Sequence, residues 1–461
     1  MSLQRVGKIV GVAAAMMYVL AVWAVINTRI LPVKYLVIGI AVTALMFVGI
    51  LLVLFLKKLS TAVTIVLIAV SILIIGASMY VVSVSRSTSS FLDAIQQTPY
   101  SYETYSVIAE KNRHMTLPNA VKAGVIQNDP YQTEASEGLK KLTSATTQTY
   151  NDPASLIVAL EADESDIAAV NDSYLQLLKE NHESFEQNIE VLTTFRVQVK
   201  RATVSSTASV SKPFVVYISG IDTYGDISSV SRSDVNMLAV VNPTTHTVLL
   251  VNTPRDYYVQ LHGTTGTRDK LTHAGIYGID MSRQTLEDLY GTKIDYYIRV
   301  NFTSLTSIVD ALGGVNVYSD YDFKSFHTGY NQLDGKRALE FSRERHSFNE
   351  GDRQRGKNQQ RVIEAIIAQM SDPKNAVNYQ AILNSFQGAL QTNMSREALT
   401  TSVNQQLNDM KRWRSESISV DGAGASAPTY SMGSQLLYVM VPNQQTVDAA
   451  KVKIQAYLSE Q

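Results

Sequence analysis

The sequence predicts an α/β protein in three parts: an N-terminal anchor of three transmembrane helices, a small α/β accessory module, and an α/β sandwich with a central mixed sheet. Three observations lead to this prediction. Residues 1–86 contain three long, charge-free apolar stretches. Residues 87–211 are polar, with weaker strand and helix patterns. Residues 212–461 alternate clear strands with helices, which is typical of layered α/β domains.

The composition of the 461-residue chain limits the classes of function. The formal net charge is -1, so no global attraction to nucleic acid is indicated. The chain contains no cysteine, which excludes disulfides, thiolate catalysis and thiolate metal sites. Charged residues make up only 18% of the chain, which is low for a soluble protein, and the apolar N-terminal region explains this value.

The three apolar stretches are predicted to span a membrane and to act as anchors. They comprise residues 9–26, 35–56 and 59–85, and each reaches the roughly 20 residues that a helix needs to cross the hydrocarbon. No ionisable residue lies inside them, so an ion or proton pathway is not expected. The positive-inside rule places the N-terminus in the cytoplasm and everything after Arg86 outside. The cations on the cytoplasmic side would be Arg5, Lys8, Lys57 and Lys58.

The accessory module shows weaker patterns. Serine- and threonine-rich runs at residues 85–90 and 203–211 are typical of linkers. Acidic and apolar residues alternate at helical spacing over residues 172–190. Strands are predicted at residues 106–110, 155–160 and 194–199. No combination of residues in this module indicates a catalytic site.

The C-terminal part shows the clearest alternation of strands and helices. One helix is predicted near residues 282–289, with Ser282 as its N-cap, and a second at residues 302–312, ended by Gly313 and Gly314. Strands are predicted at residues 214–218, 236–241, 247–252, 294–300 and 315–318. This alternation predicts helices packed on a central mixed sheet.

The densest group of cationic side chains lies between residues 335 and 360. If residues 341–346 are extended, Arg343 and Arg345 point to one face. If the next segment is a helix, one side of it begins with polar residues and continues as a buried apolar run. That side would carry Asp352, Arg355 and Gln359.

Guanidinium groups that converge on one place suit a polyanion such as pyrophosphate. Their planar donors match phosphate oxygens two at a time. A solvated surface of arginine–glutamate pairs is an equally open interpretation of this stretch, since glutamates are interspersed among the arginines.

Other polar side chains fall at or just after the ends of predicted strands, where sites in α/β folds collect. They are Asp222, Asp234, Arg255 and Arg343. Two carboxylates with several arginines suit a hard cation such as Mg²⁺ together with phosphate groups. Each aspartate taken alone is typical of a turn or a cap, so only the combination predicts a site.

This region contains a series of ordered motifs. They are Arg232-Ser233-Asp234, Pro254-Arg255-Asp256, Lys270-Leu271-Thr272-His273-Ala274, Asp310-Ala311-Leu312-Gly313-Gly314-Val315, Leu333-Asp334-Gly335, Arg343-Glu344-Arg345-His346 and residues 352–360. In this order the motifs resemble the LytR–CpsA–Psr (LCP) family. The resemblance covers roughly residues 212–370, and the part to residue 461 would complete the same domain. Three spans and an extra extracytoplasmic module resemble the streptococcal capsule-locus (CpsA) type.

The resemblance implies a membrane-anchored phosphotransferase that requires Mg²⁺. Such an enzyme moves a glycopolymer, here expected to be capsular polysaccharide, from undecaprenyl-pyrophosphate to peptidoglycan and releases undecaprenyl phosphate. The expected partners are the lipid-linked polysaccharide, peptidoglycan, the lipid bilayer and other capsule-assembly membrane proteins, but not nucleic acid. The expected location is the cell membrane, with several spans and a large extracytoplasmic C-terminal region.

The resemblance also implies roles for individual residues. Mg²⁺ would be held by Asp222 and Asp234, and Asp352 would be the base for the attacking sugar hydroxyl. The lipid pyrophosphate would be held by Arg232, Arg255, Arg343, Arg345 and Arg355, with Gln359 beside them. The expected catalytic side chains are therefore Asp234, Arg255, Asp352, Arg343 and Arg345. The sequence departs from many members near Lys357 and Asn358, where an arginine is common. The lipid chain would lie in an apolar tunnel in the sheet–helix core.

Two other functions are compatible with the same residues. One is a membrane-anchored sensor or regulator of capsule synthesis that binds polyprenyl-phosphate lipids without consuming them. The other is a polyprenyl-pyrophosphate hydrolase that uses water in place of a sugar hydroxyl. Turnover distinguishes the sensor from the enzymes, whereas the sequence does not separate the hydrolase from the transferase.

Overall fold

The computed structural model describes residues 2–56, 59–95, 100–181, 184–200, 206, 208–222, 227, 231–378 and 390–460. Lys57 and Lys58, which entered the topology prediction, lie outside the described residues, as does most of residues 203–207 in the second predicted linker. The chain forms two compact units. The first comprises Met1–Gln96, Met370–Gln387 and Ser395–Arg412, and the second comprises Gln97–Gln369, Gly388–Met394 and Trp413–Gln461.

The described helices and strands confirm the α/β class. The helices are α1 (Leu3–Thr28), α2 (Val33–Leu56), α3 (Thr61–Ile95), α4 (Gln132–Lys140), α5 (Pro153–Glu161), α6 (Asp172–Asn181), α7 (Phe185–Asn188), α8 (Leu271–Ala274), α9 (Ile279–Tyr290), α10 (Phe302–Ala311), α11 (Gly335–Arg343), α12 (Asp352–Ser371), α13 (Arg396–Asp409) and α14 (Gln444–Ser459). The strands are β1 (Tyr100–Glu110), β2 (Lys122–Ile126), β3 (Thr146–Tyr150), β4 (Ile167–Asn171), β5 (Ile189–Lys200), β6 (Phe214–Ile221), β7 (Ser233–Asn242), β8 (Thr247–Thr253), β9 (Tyr258–Val259), β10 (Asp269–Lys270), β11 (Tyr296–Val300), β12 (Val315–Ser319), β13 (Gly329–Leu333), β14 (Leu390–Thr392), β15 (Arg414–Ser419), β16 (Gly422–Thr429) and β17 (Gly433–Pro442).

The first unit is built on α1, α2 and α3, which are long and apolar enough to cross a membrane. A Cβ atom on Gly11 of α1 would lie only 3.0 Å from Leu54 of α2, so glycine permits close packing of the two helices. The Tyr18 and Thr43 hydroxyls are 2.7 Å apart and join the same pair. The linker predicted at residues 85–90 is wrong, because α3 continues through it to Ile95.

The accessory module is a mixed five-stranded sheet in the order β3-β2-β4-β1-β5. β2 is parallel to β3 and β4, whereas β1 is antiparallel to β4 and β5. The strand predicted at residues 155–160 is wrong, because these residues lie in α5. A capping box between Asp152 and Ser155, with Pro153 in the first turn, starts that helix. A short apolar run does not distinguish a strand from a buried helix.

One face of the accessory sheet packs in the same hydrophobic core as side chains from the part of the chain after residue 212. Ile108 and Val170 of the sheet and Leu177 of α6 pack in the same buried cluster as Ile276, Met432 and Leu437. The first three belong to the accessory module and the last three to the chain after residue 212. Burial of these side chains removes apolar surface from water, so the two modules are held together by a continuous hydrophobic core.

The family-like part contains a mixed six-stranded sheet in the order β14-β11-β6-β7-β8-β15, which confirms the predicted central mixed sheet. β11 is parallel to β6 and β15 is parallel to β8, while the other pairs are antiparallel. Val215 and Tyr217 of β6 face a core that α9 and α14 complete. Ile218 and Gly220 line a cavity on the other face, as expected from strand alternation.

The helices of this domain begin and end at clear signals. α10 starts at a capping box between Asn301 and Ser304, and Gly313 follows it with φ +74°, as the predicted stop requires. The predicted N-cap Ser282 is wrong. α9 begins at Ile279 after Gly278, whose φ is +103°, and Ser282 is buried inside the helix.

The extended conformation predicted for residues 341–346 is wrong at its start, because Phe341 and Arg343 belong to α11. Asp334 caps this helix by accepting the Arg337 backbone N–H at 2.8 Å. Buried residues recur at helical spacing along α11, and the chain becomes extended only at Glu344. Arg343 and Arg345 therefore do not share one strand face.

Candidate active site

A cavity of about 700 Å³ lies between the six-stranded sheet and the helices α10, α11 and α12. Apolar side chains from these elements line part of it, including Ile218, Val300, Leu305, Leu339 and Val362. Eight of the nine predicted site residues line it as well. They are Asp222, Arg232, Asp234, Arg255, Arg343, Arg345, Arg355 and Gln359. The ninth, Asp352, contacts Arg255 and Arg355 beside the cavity.

A β-bulge brings Asp234 into this cavity. Gly220 of β6 pairs with Val235, but the next residue, Ile221, pairs with Ser233, so Asp234 is the extra residue of β7. A bulge turns the extra side chain away from the regular alternation of the strand. A Cβ atom on Gly220 would lie 2.6 Å from the Val235 side chain, so this close pairing requires glycine. Asp234 therefore lies at the start of a strand, not after a strand end as predicted.

Both carboxylate oxygens of Asp234 have partners. Arg255 Nη1 donates to Oδ2 at 2.9 Å, and Thr272 Oγ1 donates to Oδ1 at 2.9 Å. Burial alone would raise the pKa of Asp234, but the guanidinium groups of Arg255, Arg232 and Arg355 outweigh burial and hold the pKa below its ordinary value. Asp234 is therefore ionised at neutral pH.

Arg255 follows β8 and is surrounded by carboxylates. Besides Asp234, its Nε lies 3.7 Å from Asp256 and 4.0 Å from Asp352. Burial opposes its charge, but these three carboxylates raise its pKa above the ordinary arginine value. The buried Nε has no hydrogen-bond partner within the described part of the chain. A buried donor of this kind is costly unless a ligand accepts from it, and an anion in the cavity would do so.

Asp222 follows β6 and is more open, with 41% of its side chain exposed. Its Oδ1 lies 3.8 Å from Arg343 Nη2. Partial burial, together with the Asp234 carboxylate, raises the pKa of Asp222, although the neighbouring arginines act in the opposite direction. Asp222 and Asp234 therefore repel each other across the cavity, and a cation between them would relieve that repulsion.

The donor chemistry of these two carboxylates fits Mg²⁺. Mg²⁺ in phosphate sites is commonly bound by one or two carboxylates, with substrate oxygens and water completing its coordination. Among the residues that the structure describes, no group of three or more histidine, aspartate or glutamate side chains can hold a metal ion. A metal held by these two carboxylates would need further ligands, which phosphate oxygens and water can supply.

Arg343 and Arg345 lie on the exposed side of the cavity. The Arg343 guanidinium stacks over the Phe302 ring, with Cζ 4.2 Å from the ring centroid, and 51% of its side chain is exposed. Arg345 is exposed, and its Nε donates to His346 Nε2 at 3.3 Å. Neither guanidinium is held by a close carboxylate in the described residues, so both forks remain available to an anion.

The first two turns of α12 carry Asp352, Arg355 and Gln359 on one side, as predicted. Arg355 Nη2 lies 2.5 Å from Asp352 Oδ1. Burial lowers the pKa of Arg355, with Asp352 opposing that effect. Lys357 and Asn358, the two positions near which many family members have an arginine, contact other residues. Lys357 pairs with Glu350 at 2.7 Å, and buried Asn358 donates to the Phe341 carbonyl at 3.3 Å, which ties α12 to α11.

Three further residues at the site were not predicted. Thr272 and Phe302 contact Asp234 and Arg343, as described above. Glu180, from α6 of the accessory module, lines the cavity and binds Arg232. Thr272 belongs to the motif of residues 270–274, so the sequence offered a reason to expect its polar side chain at the site. Glu180 lies 52 residues before its partner and carried no local signal.

Residues 173–451 match the profile of the LytR_cpsA_psr family, which is more than half of the chain. The chain belongs to the LytR–CpsA–Psr family. The resemblance drawn from the ordered motifs is thereby confirmed, while the CpsA subtype stays a prediction. With three apolar helices before the family domain, the protein is membrane-anchored and carries that domain outside the cytoplasm.

Curated relatives include polyisoprenyl-teichoic acid–peptidoglycan teichoic acid transferases TagU. The protein from Bacillus cereus is 29% identical over 295 residues, which cover 63% of this chain and 90% of the relative. The protein from Bacillus anthracis is 31% identical over 267 residues, which cover 57% and 83%. Among solved structures, TagV of B. subtilis is 25% identical, with a TM-score of 0.46, over 54% of this chain and 99% of that one.

Proposed function

We propose that this protein transfers a glycopolymer from a polyprenyl-pyrophosphate carrier to peptidoglycan. The observation that carries the proposal is the combination of five arginines with an apolar lining in one cavity. A pyrophosphate group matches the guanidinium forks, and a polyprenyl chain matches the apolar side chains between sheet and helices. The family membership and the names of the relatives support the same class of reaction.

The arginines favour phosphoryl transfer because the reaction develops charge on phosphate oxygens. Catalysis then depends on positioning and electrostatic stabilisation more than on a covalent nucleophile. Arg255 is already fixed by Asp234, and its Nε, which has no hydrogen-bond partner among the described residues, is a donor for a phosphate oxygen. A donor that is fixed before the reaction stabilises developing charge without reorganisation.

The proposed step balances as a substitution at phosphorus. A hydroxyl oxygen of peptidoglycan forms a bond to the phosphorus that carries the glycopolymer, and the bond from that phosphorus to the bridging oxygen breaks. Polyprenyl phosphate leaves with the bridging oxygen. Asp352 would accept the hydroxyl proton. The contacts of Asp352 with Arg255 and Arg355, two of the guanidinium groups proposed to bind phosphate, support this role.

We propose Asp222 and Asp234 as the residues that hold Mg²⁺. The bound ion would supply neutralisation of the negative charge on the pyrophosphate oxygens. The mutual repulsion of the two carboxylates and the match of their oxygens to a hard cation support this assignment.

We propose capsular polysaccharide as the polymer, since the three spans and the accessory module resemble the capsule-locus type. The TagU relatives carry teichoic acid in their names, and teichoic acid is therefore the competing donor in the test.

The proposal is tested with the full-length protein in detergent, given undecaprenyl-pyrophosphate-linked capsular polysaccharide or lipid-linked teichoic acid, with and without peptidoglycan. The transferase should release undecaprenyl phosphate and attach polymer to peptidoglycan only when both substrates are present. Release without peptidoglycan would show a hydrolase instead. Binding of the lipid without release would show a sensor.

A further inference from the structure

Helix α6 places an acidic side chain in the cavity that the predicted site residues line. Glu180 of α6 accepts from both terminal nitrogens of Arg232, with Nη1–Oε2 at 2.6 Å and Nη2–Oε1 at 2.7 Å. Both residues line the same cavity as Arg255 and Asp234. The Glu180 carboxylate thus occupies the end-on fork of Arg232, which is the geometry with which a guanidinium binds two phosphate oxygens.

The Glu180–Arg232 contact is held in place by the buried side chains of α6 and not by a surface loop. α6 is fixed by Leu177 and Leu178, which are buried in the core shared by the two modules. Gln435 of β17 donates to the Asn181 carbonyl at 2.5 Å, directly beside Glu180. The position of the carboxylate is therefore set by the packing of α6 against the chain after residue 212.

The location of Glu180 on its own helix is unfavourable. It lies in the last turn of α6, where the helix dipole disfavours a negative charge. Arg232 offsets that cost, and the Glu180 carboxylate raises the pKa of Arg232 against the opposing effect of burial. Just over half of the Glu180 side chain is exposed to solvent, whereas only 12% of Arg232 is. The carboxylate can therefore leave the pair by a side-chain rotation, while the guanidinium stays in the cavity.

We propose that Glu180 competes with the phosphate groups of the substrate for Arg232 and so sets the affinity of the site for its lipid carrier. The inference rests on the proposed function, because it requires a phosphate ligand in this cavity. When the pyrophosphate enters, two of its oxygens replace Oε1 and Oε2 on Arg232. When the product with a single phosphate remains, Glu180 regains the fork, which favours release of the product. Helix α6 is thereby part of the site.

The test measures binding of geranylgeranyl pyrophosphate to the detergent-solubilised full-length protein by calorimetry. Glu180→Gln keeps the size of the side chain and removes the competing charge. The Kd should fall about two- to fivefold, the range that corresponds to a partly exposed ion pair. Glu161→Gln is the matched control, since Glu161 also ends a helix of the accessory module, is exposed, and does not line the cavity. Its Kd should equal that of the wild type.

A double variant shows whether the effect acts through Arg232. In an Arg232→Gln background, Glu180→Gln should no longer tighten binding, because the contested guanidinium is absent. If the wild type binds the probe and Glu180→Gln binds it equally or more weakly, the inference is wrong while the proposed function stands. If neither the wild type nor Glu180→Gln binds the probe, the proposed function fails and this inference with it.

Discussion

Replacing Arg343 tests whether the exposed arginines bind phosphate or only solvate the surface. Arg343→Lys keeps the positive charge but loses the planar fork and the stacking on Phe302. Arg343→Ala loses the charge as well. We expect both variants to be impaired, the alanine variant more strongly, because an ammonium group cannot donate to two phosphate oxygens in one plane as a guanidinium does.

The structure separates the expected effect on activity from the effect on stability. Loss of one donor to a transition-state oxygen lowers kcat by about 10²- to 10³-fold, and we expect this for Arg343→Ala because the bound pyrophosphate orders the guanidinium before the reaction. Arg343 is 51% exposed, and the Asp222 carboxylate, the one paired with it in the described part of the chain, is 3.8 Å away. Its contribution to the free energy of unfolding should therefore stay below about 1 kcal/mol. A loss of that size shifts the Tm of a domain of this length by only about 2–4 °C.

The assay is release of undecaprenyl phosphate at saturating lipid, beside a thermal melt of each variant. Arg337→Ala is the matched control. Arg337 also lies on α11 and also stacks on a ring, with Cζ 5.2 Å from the Phe326 centroid, but it does not line the cavity. Its kcat should match that of the wild type. A collapse of the Tm in Arg343→Ala, or full activity in Arg343→Lys, would favour the alternative interpretation, in which the arginines between residues 335 and 360 only form a salt-bridged surface.

Three further predictions concern the metal, the accessory module and the topology. Asp234→Asn should be inactive at every Mg²⁺ concentration in the same release assay, and the wild type should lose activity in a chelator; undiminished activity in the chelator would exclude a metal role. Burial raises the pKa of Asp129 from 3.8 to about 6, so the free energy of unfolding of the accessory module should fall as the pH rises from 4 to 7. Asp129→Asn should remove that fall and stabilise the module at pH 7 by up to about 3 kcal/mol, read from denaturant unfolding, and an unchanged pH profile would contradict the assignment. A reporter that is active only in the cytoplasm should be inactive when fused at the C-terminal end of the chain, and activity there would reverse the topology.

Local sequence signals predicted most of the central domain. The strand at β6 is a continuous apolar run because it is buried on both faces, and the glycines after α10 mark a helix end that requires positive φ. The two errors of element type, at residues 155–160 and 341–346, fall on short segments. There the helix is decided by caps at Asp152 and Asp334 and by packing, which a short apolar pattern does not reveal.

The site was predictable only where its residues lie in recognisable motifs. The eight predicted residues that line the cavity come from several separate stretches of the sequence, and the fold brings them together, although their roles remain predictions. The bulge at Asp234 depends on the pairing of β6 with β7, and the Glu180–Arg232 pair depends on the docking of two modules. Neither follows from spacing along the chain, because both are set by contacts between distant segments.

The arginines of the site differ in how far the protein has fixed them before a ligand binds. Arg255 is bound to Asp234, and its carbonyl accepts the Thr272 backbone N–H at 2.8 Å, so this half of the site is rigid. Arg343 and Arg345 are exposed, so a phosphate that binds them must also restrict their side chains, which uses part of its binding energy. Rigid donors stabilise developing charge without reorganisation, whereas exposed donors contribute only after the bound pyrophosphate has ordered them. The rigid donors lie at the end of the sheet, and the donors that the ligand orders lie on α11 and the segment that follows it.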